Sequence, residues 1–179
     1  MNEQNECLNK VPYGIRDEAI FRDTEADKRV RRFMTPKRIL WMTQTEKAEV
    51  TGAEALLKPH VKQIHFNVPE QCRLESKGKS AGILLDFGVE FHGYVKLYIH
   101  SVSPQRVRLR IRFGESASEA MAELGGEKNA TNDHINRDQI IDVGFLSMPE
   151  IGPSGFRFVR IDVVDPEAMI TLQLSLIHI

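Results

Sequence analysis

The stretch Arg106–Gly114 reads RVRLRIRFG. Val107, Leu109, Ile111 and Phe113 alternate without a break with Arg106, Arg108, Arg110 and Arg112. Neighbouring side chains on a strand point to opposite faces. A period of two this regular therefore predicts an antiparallel strand with one face on a core and one in water.

The chain before it reads the same way. Gly82–Phe87 (GILLDF) is a buried-type strand that ends at Gly88. In Tyr94–His100 (YVKLYIH), Val95, Leu97 and Ile99 share one face, and Lys96, Tyr98 and His100 the other. Arg38–Met42 (RILWM), led in by Pro36, is apolar and β-prone, and Gln63–Val68 (QIHFNV) is a further strand closed by Pro69. Residues 52–58 (GAEALLK) predict a short helical turn, stopped by Pro59.

After Gly114 the pattern changes. Ser116 to Leu124 is a helix former, with Ser116 and Glu119 spaced as a capping box and Gly125-Gly126 as the stop. A polar loop runs from Glu127 to about Asp138. Gln139–Val143 returns to strand, Gly152–Gly155 (GPSG) predicts a turn, and Phe156–Val164 predicts another strand, broken by Pro166. Met169–Ile179 is β-like to its end. About eight strands between turn-rich loops, with one short helix, predict an all-β fold: an antiparallel β-sandwich or jelly roll. Residues 1–35, charged and without periodicity, are expected to be a tail or linker, and residues 36–173 to be the sandwich.

Composition removes several classes of function. A net charge of −1 gives no global pull toward nucleic acid or an anionic membrane. No apolar run approaches the length of a membrane span. The acidic, polar start MNEQNECLNK has no signal core. A cytoplasmic location is expected, or a periplasmic one if an export signal precedes this sequence. Cys7 and Cys72 form no C-x-x-C pair, which removes a cysteine zinc site but leaves a single bridge between them open. The six histidines show no metal-ligand spacing and no Gly-rich phosphate loop is present, so no metal or cofactor is expected.

Four segments carry a resemblance. Leu85–Tyr94 (LDFGVEFHGY) is similar to the DFG-x-E-x-x-G segment of the N-terminal sandwich of bacterial α-L-rhamnosidase-like proteins, glycoside hydrolase family 78 and its relatives. Arg112–Ser116 with Ser118–Met121, Asn129–His134 with Arg137-Asp138, and Gly155–Ile161 follow in order. Pro36–Ile39 also resembles that family's entry into its first strand. The resemblance implies an accessory domain that supports an (α/α)6 barrel and lines its sugar pocket. The barrel would hold the catalytic carboxylates, which then have no positions in this sequence. Implied partners are that barrel and a rhamnose-containing or other glycan. The parent protein would be a glycosidase, and this chain inactive alone.

The end reads Leu174–Ile179 (LSLIHI), which matches the translation of a transposon mosaic end used in sequencing-library preparation. These residues are expected to be a non-native tail, with a genuine last strand as the other reading.

Asp86, Glu90, His92 and Tyr94 cluster around Gly88 and Gly93, and Asn132, Asp133 and His134 sit in the polar loop. Carboxylate, amide and imidazole groups give the directional hydrogen bonds that sugar hydroxyls need, so these seven residues are the candidate glycan or domain contacts. The plainer reading has Asp86 capping a turn and Glu90 paired with an arginine. The arginine face of Arg106–Arg112 is expected to pair with acids on the next strand, such as Asp162. The oxygen-rich loop Asn129–Asp138 lacks the glycine and terminal Glu of an EF-hand, and Asx-turns account for its composition. Trp41 and Tyr94 are the aromatics that could stack on a sugar, with Trp41 expected in the core because its strand is apolar. An independent carbohydrate-binding module is the alternative function. A self-contained enzyme using Asp86 or Glu90 with Glu115 ranks last.

Overall fold

A computed structural model describes residues 32–59, 70–123 and 137–178. All of these belong to the unit Arg32–Ile179; the other unit is Met1–Arg31. Ten strands are present among the described residues. They are β1 Arg32–Met34, β2 Arg38–Met42, β3 Gln44–Thr45, β4 Ala48–Thr51, β5 Cys72–Lys77, β6 Gly82–Ser103, β7 Arg106–Gly114, β8 Asp138–Gly144, β9 Glu150–Val163 and β10 Glu167–His178. A 3-10 turn, Ala53–Leu57, follows β4, and one helix, α1 Ala117–Met121, follows β7. The expected strand Gln63–Val68 lies outside the described residues.

The chain is an antiparallel β-sandwich. Hydrogen bonding runs β3-β4-β5-β10-β6-β9-β7-β8, with β1 on β10 and β2 on β6. Two long strands bend and serve both layers. In β6, Ile83–Asp86 pairs with β2 on one side, and Gly82–Asp86 pairs with Phe158–Asp162 of β9 on the other. Past a register shift between Asp86 and Phe91, the rest of β6 pairs with Glu150–Phe156 of β9 and with β10. The first layer is thus β2, β6, β9, β7 and β8, and the second is β3, β4, β5, β10 and the far halves of β6 and β9.

One apolar core lies between the layers. Ile83, Leu85, Phe87, Val107, Leu109, Ile111, Phe113, Val159 and Ile161 enter it from the first layer, and Leu74, Val95, Leu97, Ile99, Ile170 and Leu172 from the second. Phe156 is its aromatic centre. Its ring lies 4.5 Å from Phe113, 4.7 Å from Phe91 and 6.1 Å from Phe87. Each such ring contributes roughly 1.5–3 kcal/mol by leaving water.

The alternation of Arg106–Gly114 holds through β7: Val107, Leu109, Ile111 and Phe113 are buried in the core. Three expectations change. First, GILLDF and YVKLYIH are one strand, because Gly88, at φ 83°, carries the backbone across a bulge instead of ending it. Second, GPSG is part of β9 and not a turn. Gly152, at φ 134°, passes so close to Tyr94 that a Cβ there would sit 3.2 Å from the Tyr94 Cα. Third, Tyr98 and His100 are buried, so that both faces of this stretch are covered.

The helix is shorter than expected and stops at Met121. Ser116 Oγ accepts from Glu119 N at 3.2 Å, while the Glu119 carboxylate accepts from Glu115 N at 2.8 Å, one residue before the position a capping box uses. Ala120, with Ala117 and Met121, packs on Leu84 and Phe158 and forms a small second core on the outer side of the first layer. The helix can lie this close because residue 114 is glycine; a Cβ there would sit 2.6 Å from Ala120 N.

Candidate functional site

Register places the outward side chains of the first layer in rows. Arg38 faces Asp86, which faces Phe158. Trp41 faces Leu84, which faces Arg160, which faces Arg112, which faces Asp138. Gly82 faces Asp162, which faces Arg110. A register shift between Ile39 and Trp41 sets this arrangement. Without the extra residue, Arg38 and Trp41, three positions apart, would point to opposite faces.

Trp41 is therefore a surface residue, 36% exposed, and not the core residue its strand composition predicts. The guanidinium of Arg160 lies 4.9 Å from the centre of its ring. Arg160 is itself held by Asp162, to which Nε donates at 3.0 Å, and Nη1 reaches Met121 Sδ at 3.4 Å. Asp162 also accepts from Arg112 Nη2 at 2.8 Å. Gly82 gives this carboxylate its room, since a Cβ there would lie 2.2 Å from Asp162 Oδ1 and 3.2 Å from the Trp41 ring. An aromatic plate thus stands beside an oriented guanidinium and a fixed carboxylate.

The expected pairing of the arginine face is present. Arg112 joins Asp162 and Glu123, Arg110 joins Asp138 and Glu123, and Arg108 joins Asp165. The guanidinium of Arg110 holds Glu123 below the usual carboxylate range. A hydrogen bond from Arg108 N lowers Asp165 in the same way.

Asp86 has the turn-capping role. Its side chain is 0% exposed, and Oδ1 accepts from Gly88 N at 2.7 Å. The same carboxylate accepts from Arg157 Nε at 2.8 Å and Nη2 at 3.1 Å, and from Arg38 Nε at 3.0 Å and Nη2. Hydrogen bonds from Arg157 and then Arg38 push its pKa far below the ordinary value, against the opposing effect of burial. Asp86 organises arginines and leaves no lone pair for a ligand. Arg38, which is exposed, and Arg157, which is half-buried, are the groups that reach the surface here, and composition singled out neither. Their signal was the register of β2, which composition does not carry.

The remaining expected residues separate. Glu90 and His92 are exposed beyond the Gly88 bulge. Tyr94 is half-buried in the second layer, against Gly152. Asn132, Asp133 and His134 lie outside the described residues. An open groove of about 330 Å³ lies elsewhere, lined by Gly52, Glu54, Ala55, Lys58, Glu70 and Gln71, with Lys58 and Glu70 ion-paired across it. Cys72 is a free, buried thiol, and Cys7, the other half of the bridge left open by the sequence, lies outside the described residues.

No protein family profile matches the chain, and no curated protein matches it. Several solved structures align with it at low identity. A low-affinity xylan-binding module, CBM86, from Roseburia intestinalis aligns at TM-score 0.47 and 14% identity, over 84% of this chain and 95% of that one. A truncated AlyQ with CBM32 and alginate lyase domains aligns at 0.47 and 12%, over 83% and 34%. A rhamnosidase from Klebsiella oxytoca with rhamnose bound aligns at 0.45 and 18%, over 90% and 32%. The chain thus spans about a third of the length of the last two.

Proposed function

We propose that this chain is a glycan-binding β-sandwich module whose binding face is the outer surface of the first layer around Trp41. One observation carries this reading: the exposed indole of Trp41, set beside Arg160 and Asp162. A sugar presents an apolar C–H face and a rim of hydroxyls. The indole offers area to the first, and guanidinium and carboxylate offer directional donors and acceptors to the second. Leu40, also exposed on β2, widens the apolar part. The test is retention of the purified chain on immobilised polysaccharides. Trp41→Ala is expected to abolish retention while the thermal unfolding midpoint stays near wild type, and unchanged retention would end the assignment to this face.

A second reading is an accessory domain of an α-L-rhamnosidase-type hydrolase, serving its catalytic barrel. Outward apolar side chains favour it: Phe145 is 62% and Met148 50% exposed in the β8–β9 connection. The resemblance of Leu85–Tyr94 and the three later segments supports it as well. On this reading the chain by itself hydrolyses no aryl rhamnoside, and turnover by the purified protein would remove it.

A further inference from the structure

We infer that Arg38 and Arg157 form a preset anion subsite beside Trp41 that takes a sugar-borne carboxylate, so that the glycans bound are acidic ones containing uronic acid residues. This rests on the glycan-binding reading above and names its ligand class.

Two guanidinium groups from different strands, β2 and β9, converge on one carboxylate that has no contact with solvent. Asp86 has room for about four hydrogen bonds, and Arg38, Arg157 and Gly88 fill it. Both arginines turn their Nε–Nη2 edge inward. Nη1 and the outer hydrogen of Nη2 face away from Asp86, on side chains that are 59% exposed for Arg38 and 35% for Arg157. That free edge is a two-donor fork, the geometry that matches a planar carboxylate. A surface arginine ordinarily loses rotamer freedom when it binds. These two are already held, Arg157 also by stacking 4.9 Å from the Phe158 ring.

The local charge favours an anion. Asp86 neutralises one of the two guanidinium groups. Lys37 adds a third cation, because its side chain lies over Gly88, where a Cβ would meet its Cγ at 3.1 Å. Glu90, exposed two residues after Gly88, is the nearest acid along β6, so this stretch carries three cations and two carboxylates. The position fits a glycan. Arg38 and Trp41 lie on one face of β2 in adjacent outward rows, about 7 Å apart along the strand. A chain stacked on Trp41 brings the carboxylate of a neighbouring ring to the arginines.

The experiment measures binding of the full chain to polygalacturonate and to the same polymer after carboxyl reduction, at about 20 mM and about 300 mM salt. Expected is an about tenfold preference for the acidic polymer at low salt, shrinking at high salt and largely lost in Arg38→Gln. Equal binding to the two polymers overturns the inference, as does a preference that Arg38→Gln leaves intact. A sulfated neutral galactan forms a third arm; binding as tight as to polygalacturonate overturns the choice of carboxylate. Should Arg38→Gln lower the unfolding midpoint, the wild-type comparison of the two polymers decides without it. Retention of the reduced polymer alone defeats only the anion subsite. Retention of no glycan defeats the glycan-binding reading and this inference with it.

Discussion

The Arg160 guanidinium lies 4.9 Å from the centre of the Trp41 ring, and the two side chains come from strands that do not pair, with β6 between them. Arg160 covers part of the indole and leaves the rest in solvent. Trp41 is the only tryptophan in the chain, so its emission reports this site without interference. Titration with a bound oligosaccharide is expected to shift the emission to shorter wavelength and change its intensity. A spectrum unmoved at saturating ligand would place binding elsewhere.

Asp86→Asn tests the carboxylate beneath the rim. It keeps the shape and removes the charge that holds Arg38 and Arg157. The expected loss is about 2 kcal/mol, read from urea unfolding, because one accepting oxygen becomes an NH2 donor and the other keeps only weaker, uncharged bonds, while the arginines can relax into water.

The same residue sets an acid limit. The folded-state pKa of Asp86 lies below its unfolded value, so its contribution is present in full above the unfolded value, near about 3.9, and is lost as pH falls toward the folded one. Unfolding free energy attributable to Asp86 is expected to be flat from about pH 8 to 5 and to fall below about pH 4. A wild-type minus Asp86→Asn difference that is constant down to pH 3 would contradict this.

Gly82→Ala places a methyl group where Asp162 Oδ1 now sits, at 2.2 Å. The carboxylate must move, and Arg112 and Arg160 lose their common acceptor. Destabilisation of about 2–4 kcal/mol is expected, with weakened glycan binding because Arg160 no longer sits fixed beside Trp41. Denaturant curves and the retention assay check the two effects separately.

Cys72 is fully buried, and burial pushes its thiol up to about 12. In a Cys7→Ser background it is expected to resist thiol reagents at pH 8 and to react fully in denaturant. Rapid labelling of the native protein would show that β5 opens readily.

The outline of the sandwich was legible because alternation is a local property. Each of Val107, Leu109, Ile111 and Phe113 reports its own face through its spacing to the next. The turn-capping role of Asp86 and the pairing of Arg112 with Asp162 were legible for a related reason, since short polar residues by glycines cap turns and like-charged rows need counter-charges. The proposed binding face was not legible. After Arg38, the strand RILWM is apolar, and composition alone assigns Trp41 to the core.

The sequence by itself thus determined the class of fold, the core face of β7 and the kind of groups available, because each follows from side-chain period and chemistry over a few residues. Only the tertiary structure decided which of those groups meet. One extra residue between Ile39 and Trp41 turns the indole outward and puts Arg38 on the same face, while β6 and β9 bend to bring Asp86 under two arginines. Register is a relation between strands far apart in the chain, and no single strand encodes it.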